Sequence, residues 1–291
     1  MGFVRHGRGS GRALTATAIA VGTAVTGLSG TAAAAPGDAS GAAATVAPRF
    51  DLYGVHKQTH ELWEWYHDGP YLGIDAPTPE DRSDLADIIT VDNDGNGYGE
   101  GAWTLYKNGR LDYAGNVDGR WQSVGPVGKG WNIYAEVLSP GSLGGAKEAD
   151  LIGRDTAGVL WSYLSHPDGR LTPRMRVGGG WGQYDQLAGQ GDLTGDGRPD
   201  IVARDRTGVL WLYRGTGDYK APFASRTRVG GGWNAYDRLL SLGDDDGDGR
   251  VDLLARKPTG QLLRYPGTGD AAKPFKPPVA YASGMDRFNL L

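Results

Sequence analysis

Two nine-residue stretches concentrate the residues with the clearest chemical capacity. Residues 244–252 read DDDGDGRVD and residues 192–200 read DLTGDGRPD, a shared D-x-[D/T]-x-D-G-x-x-D spacing. Alternate residues of such a loop turn their oxygens toward one centre, and glycine at the sixth position permits a turn that a side chain would obstruct. Calcium takes about six to eight oxygens at short range, so this pattern is a calcium pattern. The expected ligands in the first loop are Asp244, Asp246, Asp248 and Asp252 with the Arg250 carbonyl. In the second they are Asp192, Thr194, Asp196 and Asp200 with the Arg198 carbonyl. A plain Asp/Gly turn is the competing reading, but aspartates packed so densely repel one another unless a cation intervenes. The corresponding stretch SLGGAKEAD, 142–150, lacks the acids and is expected to be metal-free. A further run, DNDGNGYGE at 92–100, offers Asp92, Asp94, Asn96 and Glu100; its place in the repeat is read as a hairpin turn, off the metal position.

The elements that position these loops follow from internal repetition. ADLIGRDTAGVLWSY, PDIVARDRTGVLWLY and VDLLARKPTGQLLRY align almost without gaps, and their first aspartates, Asp150, Asp200 and Asp252, lie 50 and 52 residues apart. GKGWNIYAEVL, GGGWGQYDQLA and GGGWNAYDRLL recur in phase, and SGMDRFNLL at the chain end is a worn copy. Within a unit, DIVAR is a short β-branched strand, D-R-T-G a turn, VLWLY its hairpin partner, RTRVG a third candidate strand and YDRLL a fourth. Four short strands in about 50 residues make one propeller blade, which must stack on neighbours to bury its faces. Two less regular units begin at Phe50 and Ala86, where FDLYGV and ADIITV are read as the aspartate-plus-aliphatic strand. The span 49–291 then holds about five four-stranded blades. The chain ends on the strand type that elsewhere precedes the metal loop and starts on the type that follows it. Pairing of Phe288–Leu291 with Phe50–Val55 is therefore expected to close the ring. Too few residues separate Tyr66 from Asp87 for a full set of strands, so either one early blade is incomplete or the ring holds a different number of blades.

Composition supports an all-β chain. The 49 glycines and 16 prolines among 291 residues interrupt helices, and there is no cysteine to form a disulfide. Residues 1–12 are basic, residues 13–30 apolar and small, and TAAAAP follows, the layout of a secretory signal peptide cleaved after Ala34. Residues 35–48 read as a flexible lead-in. Without residues 1–34 the chain holds 27 basic residues against 34 acidic ones, a balance of −7. Such a charge gives no reason to bind nucleic acid or an anionic membrane, and a secreted, extracellular protein with no membrane insertion after processing is expected.

An acidic D-x-N-x-D-G-x-x-D loop followed by an aliphatic strand resembles the FG-GAP/VCBS repeat of integrin-type propellers. The resemblance spans about 49–291 and is most specific in the last two repeats. It implies a calcium-bearing β-propeller that works by binding.

No catalytic constellation emerges. His56 and His60 flank a hairpin turn and, with His67, read as turn residues rather than a metal triad. The GGGW runs at 178–181 and 230–233 precede no helix and are not nucleotide loops. Glu61 and Glu64 near Trp63 and Trp65 could mimic a glycosidase pair, although neighbouring strand positions alternate faces. Trp131, Trp181 and Trp233 recur with Tyr134, Tyr184 and Tyr236, and Trp161 and Trp211 recur on another strand. Blade-to-blade packing is the first reading of the first set; a ring of sugar-stacking platforms is the second. The expected function is a non-enzymatic binding module for carbohydrate or an extracellular protein. The alternative is a secreted hydrolase with its site in the irregular half, 49–130.

Overall fold

The computed structural model describes residues 46–68 and 71–291. The signal peptide and most of the lead-in expected from the sequence lie outside the described residues. The described chain is a β-propeller of five antiparallel blades. Blade 1 comprises Leu85–Val91, Gly101–Tyr106, Leu111–Val117 and Arg120–Gly128, in that order from the inner strand outward. Blade 2 follows with Tyr134–Gly141, Asp150–Asp155, Leu160–Tyr163 and Met175–Gly178. Blade 3 is Tyr184–Ala188, Ile201–Asp205, Leu210–Tyr213 and Thr227–Gly230, and blade 4 is Arg238–Leu240, Leu253–Arg256, Leu262–Tyr265 and Val279–Ala282.

Blade 5 is made from both ends of the described chain. Phe288–Leu290 is its inner strand and pairs with Leu52–His56, which pairs with Leu62–Trp65. The register sets Gly54 opposite Leu290 and His56 opposite Phe288, and Leu291 N–H donates to the Tyr53 carbonyl at 3.0 Å. Closure therefore occurs as the phase of the repeat requires. The shortage of residues after Tyr66 falls on the outer strand of this blade, which shrinks to a single bridge between Leu62 and Thr78.

One assignment from sequence changes. Leu85–Val91, read as the aspartate-aliphatic strand, is the inner strand of blade 1 and pairs with Gly101–Tyr106. It thus corresponds to the Y-D-x-L strands, and GAWTLY takes the second position. The two strand types were interchangeable by sequence because both are short and rich in aliphatic residues, so composition alone does not separate them.

The core lies between blades. Each inter-blade cluster combines residues of two sheets: Trp103, Leu105 and Tyr113 of blade 1 pack with Tyr134, Val137 and Leu151 of blade 2. The hydrophobic residues at the third-strand start, Leu111, Leu160, Leu210 and Leu262, are all 0% exposed. This is the arrangement expected when no single sheet can bury both its faces.

Candidate functional site

Each acidic loop joins the inner strand of a blade to its second strand. Residues 192–200 do so in blade 3, 244–252 in blade 4 and 142–150 in blade 2. Residues 92–100 do the same in blade 1, so they occupy the metal position, contrary to the sequence assignment. The error came from the register of Asp87: Glu100, not Asp87, is the counterpart of Asp150, Asp200 and Asp252.

Hydrogen bonds establish the equivalence atom by atom. Asp92 Oδ1 accepts from Gly95 N–H at 2.7 Å and its Oδ2 from Gly97 N–H at 2.8 Å. Asp192 accepts in the same way from Gly195 and Gly197 at 2.7 and 2.6 Å, and Asp244 from Gly247 and Gly249 at 2.8 Å each. The glycines have φ between 77° and 92°, a left-handed backbone that side chains disfavour. The ninth-position acid accepts from the second residue of its loop: Glu100 from Asn93 at 2.9 Å, Asp200 from Leu193 at 3.0 Å, Asp252 from Asp245 at 3.2 Å. Asp150 keeps this bond to Leu143 N–H, 2.8 Å, in the loop without the other acids. Its other oxygen accepts from Ser165 N–H, as Asp200 does from Gly215 and Asp252 from Gly267. The ninth aspartate therefore has an architectural task, tying the loop to the end of the third strand, that persists without a ligand set.

The loops differ in how their oxygens converge. Among the described residues, carboxylate oxygens of Asp92, Asp94 and Glu100 lie within 4.8 Å of one another, as do those of Asp244, Asp246 and Asp252. All are hard oxygen donors, the set that suits calcium. In the 244–252 loop, Arg264 enters this group: its Nη2 lies 3.2 Å from Asp246 Oδ2 and its Nε 3.8 Å from Asp252 Oδ2. Asp248, an expected ligand, turns instead to Lys276 Nζ at 3.1 Å and Arg250 Nη1 at 3.4 Å. Leu212 stands in the place of Arg264 in blade 3, so no guanidinium competes in the 192–200 loop from that position. There Thr194 Oγ1 lies 3.4 Å from Asp192 Oδ1. Burial pushes Glu100, Asp200 and Asp252 up to about 7, and neighbouring carboxylates (Asp92 and Asp94 for Glu100, Asp192 and Asp196 for Asp200) push the same way.

The histidines are not brought together. His56 Nδ1 accepts from Thr59 N–H at 3.1 Å and His60 adopts a positive φ of 60°, both in the hairpin turn. His67 lies apart, with Nε2 2.8 Å from the Phe50 carbonyl oxygen. Glu61 and Glu64 separate as strand alternation requires: Glu61 accepts from Thr59 Oγ1 at 2.7 Å, while Glu64 accepts from Tyr53 Oη at 2.9 Å. Asp51 joins Glu64, and burial followed by that neighbour's charge raises Asp51 to about 6.

Trp131, Trp181 and Trp233 are 5%, 7% and 7% exposed. Each ring packs 4.6 Å from a tyrosine of its blade's third strand, Tyr163, Tyr213 and Tyr265. These indoles fill the core and offer no open face on which a sugar ring could stack. The half-buried set is Trp161 and Trp211. Both donate Nε1–H to an aspartate at 2.8 Å, Asp155 and Asp205. Both carry a guanidinium over the ring, Arg174 at 4.1 Å and Arg226 at 4.0 Å. Sequence reading found these tryptophans but missed the arginines, because an R-x-R run on an outer strand looks like ordinary edge protection.

Residues 192–255 match the family model described as FG-GAP-like repeat. No curated protein matches the chain in sequence. Solved structures similar to it include an Agrocybe aegerita lectin studied for recognition of non-reducing terminal N-acetylglucosamine, at 22% identity over 85% of this chain and 69% of that one, TM-score 0.40. A mutant of AofleA from Arthrobotrys oligospora shares 10% identity over 82% and 73%, TM-score 0.48. A mutant Aleuria aurantia lectin in complex with alpha-methyl-L-fucoside shares 10% over 80% and 74%, TM-score 0.44. The match spans the acidic loops and second strands of blades 3 and 4, so these two blades of the five-bladed ring are similar to FG-GAP-like repeats.

Proposed function

We propose that the chain is an exported, calcium-stabilised binding module for carbohydrate, with no catalytic centre of its own. The observation that carries the binding reading is the half-buried indole at the same position of two consecutive blades, Trp161 and Trp211, each bonded to an aspartate and covered by an exposed arginine. An amphipathic ring beside directional polar groups is suited to a pyranose, which presents an apolar face and equatorial hydroxyls. Screening the protein on a glycan array, with calcium and with chelator, tests it. Binding of a defined glycan class is expected; array-wide silence in calcium would overturn the reading. Export rests on the charged, apolar and Ala-rich order of residues 1–34, and sequencing of protein from culture medium should give an N-terminus near Ala35.

Calcium would be held by Asp92, Asp94 and Glu100, by Asp192, Thr194, Asp196 and Asp200, and by Asp244, Asp246 and Asp252. It would neutralise the clustered acids, competing with Arg264 for Asp246 and Asp252 in the 244–252 loop. The sign of the pH dependence follows from the raised carboxyls. Glu100, Asp200 and Asp252 bind protons more tightly folded than unfolded, so their contribution to stability is present below about pH 4 and is lost as pH rises toward 7. Chelated protein should therefore melt higher at pH 5 than at pH 8. Calcium should raise the melting temperature strongly at pH 8 and little at pH 5, because only ionised carboxylates bind it. A calcium effect of equal size at both values would contradict this assignment.

Hydrolysis is the second reading, favoured by the close carboxyls Asp51 and Glu64 beside Tyr53 in the irregular half. Turnover of a chromogenic glycoside that Glu64→Gln abolishes would support it; absence of turnover across a glycoside panel would remove it.

A further inference from the structure

The two half-buried tryptophans stand beside exposed arginines of the outer strands. In blade 2, Trp161 lies directly across from Arg176 on the outer strand, and Arg174 stacks over its ring. In blade 3, Trp211 lies across from Arg228, and Arg226 stacks over it. All four arginines are exposed, and Arg174 also feels the charge of Asp155. Arg154, Arg204, Arg256 and Arg264 all pair with carboxylates. The stacked arginines are fixed from behind: Arg226 Nη1 donates to Gln183 Oε1 at 2.9 Å and to the Tyr184 hydroxyl, and Arg174 bonds the Tyr134 hydroxyl.

Blade 4 shows which parts of this arrangement are structural. It keeps the packing aromatics, with Trp233 4.6 Å from Tyr265 and the Tyr236 and Tyr265 hydroxyls 2.5 Å apart. At the positions of Asp205, Trp211, Arg226 and Arg228 it carries Lys257, Leu263, Pro278 and Ala280, in the same strand register. A blade therefore forms without the Asp–Trp–Arg–Arg set. One guanidinium, Arg174 or Arg226, lies over each indole, and the second arginine, Arg176 or Arg228, stands across from the same tryptophan on the outer strand. Guanidiniums pair bidentately with carboxylates and sulfates. With two arginines to one aspartate at each ring, the cluster carries a local positive excess in a chain of net charge −4, which favours anionic over neutral ligands.

We propose that the Trp161–Arg174–Arg176 and Trp211–Arg226–Arg228 clusters bind acidic polysaccharide, one charged sugar residue to each. This rests on the carbohydrate reading above and narrows it to uronate-type or sulfated chains. Two sites on consecutive blades let one polymer engage both, so affinity rises by avidity without new contacts.

Affinity electrophoresis of the full chain through gels containing polygalacturonate, neutral galactan or poly-glutamate tests the proposal. Polygalacturonate should retard the protein, and replacing Arg174, Arg176, Arg226 and Arg228 by Ala should weaken that retardation about tenfold or more, the size expected when bidentate charge-assisted bonds are lost. Lysine at the same four positions keeps the charge but not the fork; it should also lose most of the binding, and it covers the case in which the alanine variant folds poorly. A heparin gel distinguishes sulfate from carboxylate as the preferred group. Unchanged polygalacturonate binding by both variants overturns the proposal. Equal affinity for poly-glutamate overturns it too, by making the surface a general anion patch. Retardation by galactan alone, the same in the variants, sinks this inference and leaves the carbohydrate reading standing; no retardation by any glycan sinks both.

Discussion

Deleting residues 286–291 is expected to lower stability by several kcal/mol or to cause aggregation. Those residues supply the whole inner strand of blade 5. Phe288 and Leu290 are 4% and 6% exposed, and burying each such side chain contributes about 1.5–3 kcal/mol. Phe288 also sets its ring edge-on against Trp65 at 4.8 Å. The deletion exposes an unpaired edge along Leu52–His56, and open edges pair with other chains. Chemical denaturation of the truncated and full proteins reads the difference; coincident unfolding curves would mean the ring does not depend on its closing strand.

Replacing Arg256 by Ala should cost about 3 kcal/mol, the lower end for removing one partner of a buried ion pair. Arg256 is 8% exposed, pairs with Asp237 at 2.9 Å, and donates Nη1 to the Met285 and Phe288 carbonyls at 3.0 and 2.8 Å. It thereby ties blade 4 to the connector entering blade 5. Arg204 does the same one blade earlier, with Asp185 and the Trp233 and Tyr236 carbonyls. The lower figure applies because Asp237 remains 37% exposed and regains water when the arginine is removed. A loss under about 1 kcal/mol, the range of a surface pair, would show that this clasp does not hold the blades together.

Much of this architecture was legible in the sequence because repeats state their own alignment. The phase between SGMDRFNLL and FDLYGV was enough to anticipate which segments meet, and the gap after Tyr66 pointed to the blade whose outer strand is reduced to one bridge. The site was read less well, for a physical reason in each case. ADIITV is aliphatic enough to pass for an inner or a second strand, so the 92–100 loop was set in the wrong position. Asp248 fits the ligand spacing, but its neighbour in space, Lys276, lies 28 residues away and cannot be seen from the loop. Arg264 reaches the acids of its blade from the third strand, where sequence shows only an exception in an otherwise apolar run. Trp131, Trp181 and Trp233 recur because they pack, while the half-buried tryptophans recur in only two blades. Regularity within the chain thus marks the scaffold, and departures from it mark the surface.

Blades 1, 3 and 4 are proposed to hold calcium in equivalent loops. Calcium titration of metal-free protein at pH 8, followed by calorimetry, tests this most directly. Three ions per chain are expected, with the 244–252 loop weakest because Arg264 competes for Asp246 and Asp252. Glu100→Gln should remove one ion and leave two. No bound calcium, or a stoichiometry that Glu100→Gln leaves unchanged, would contradict the account.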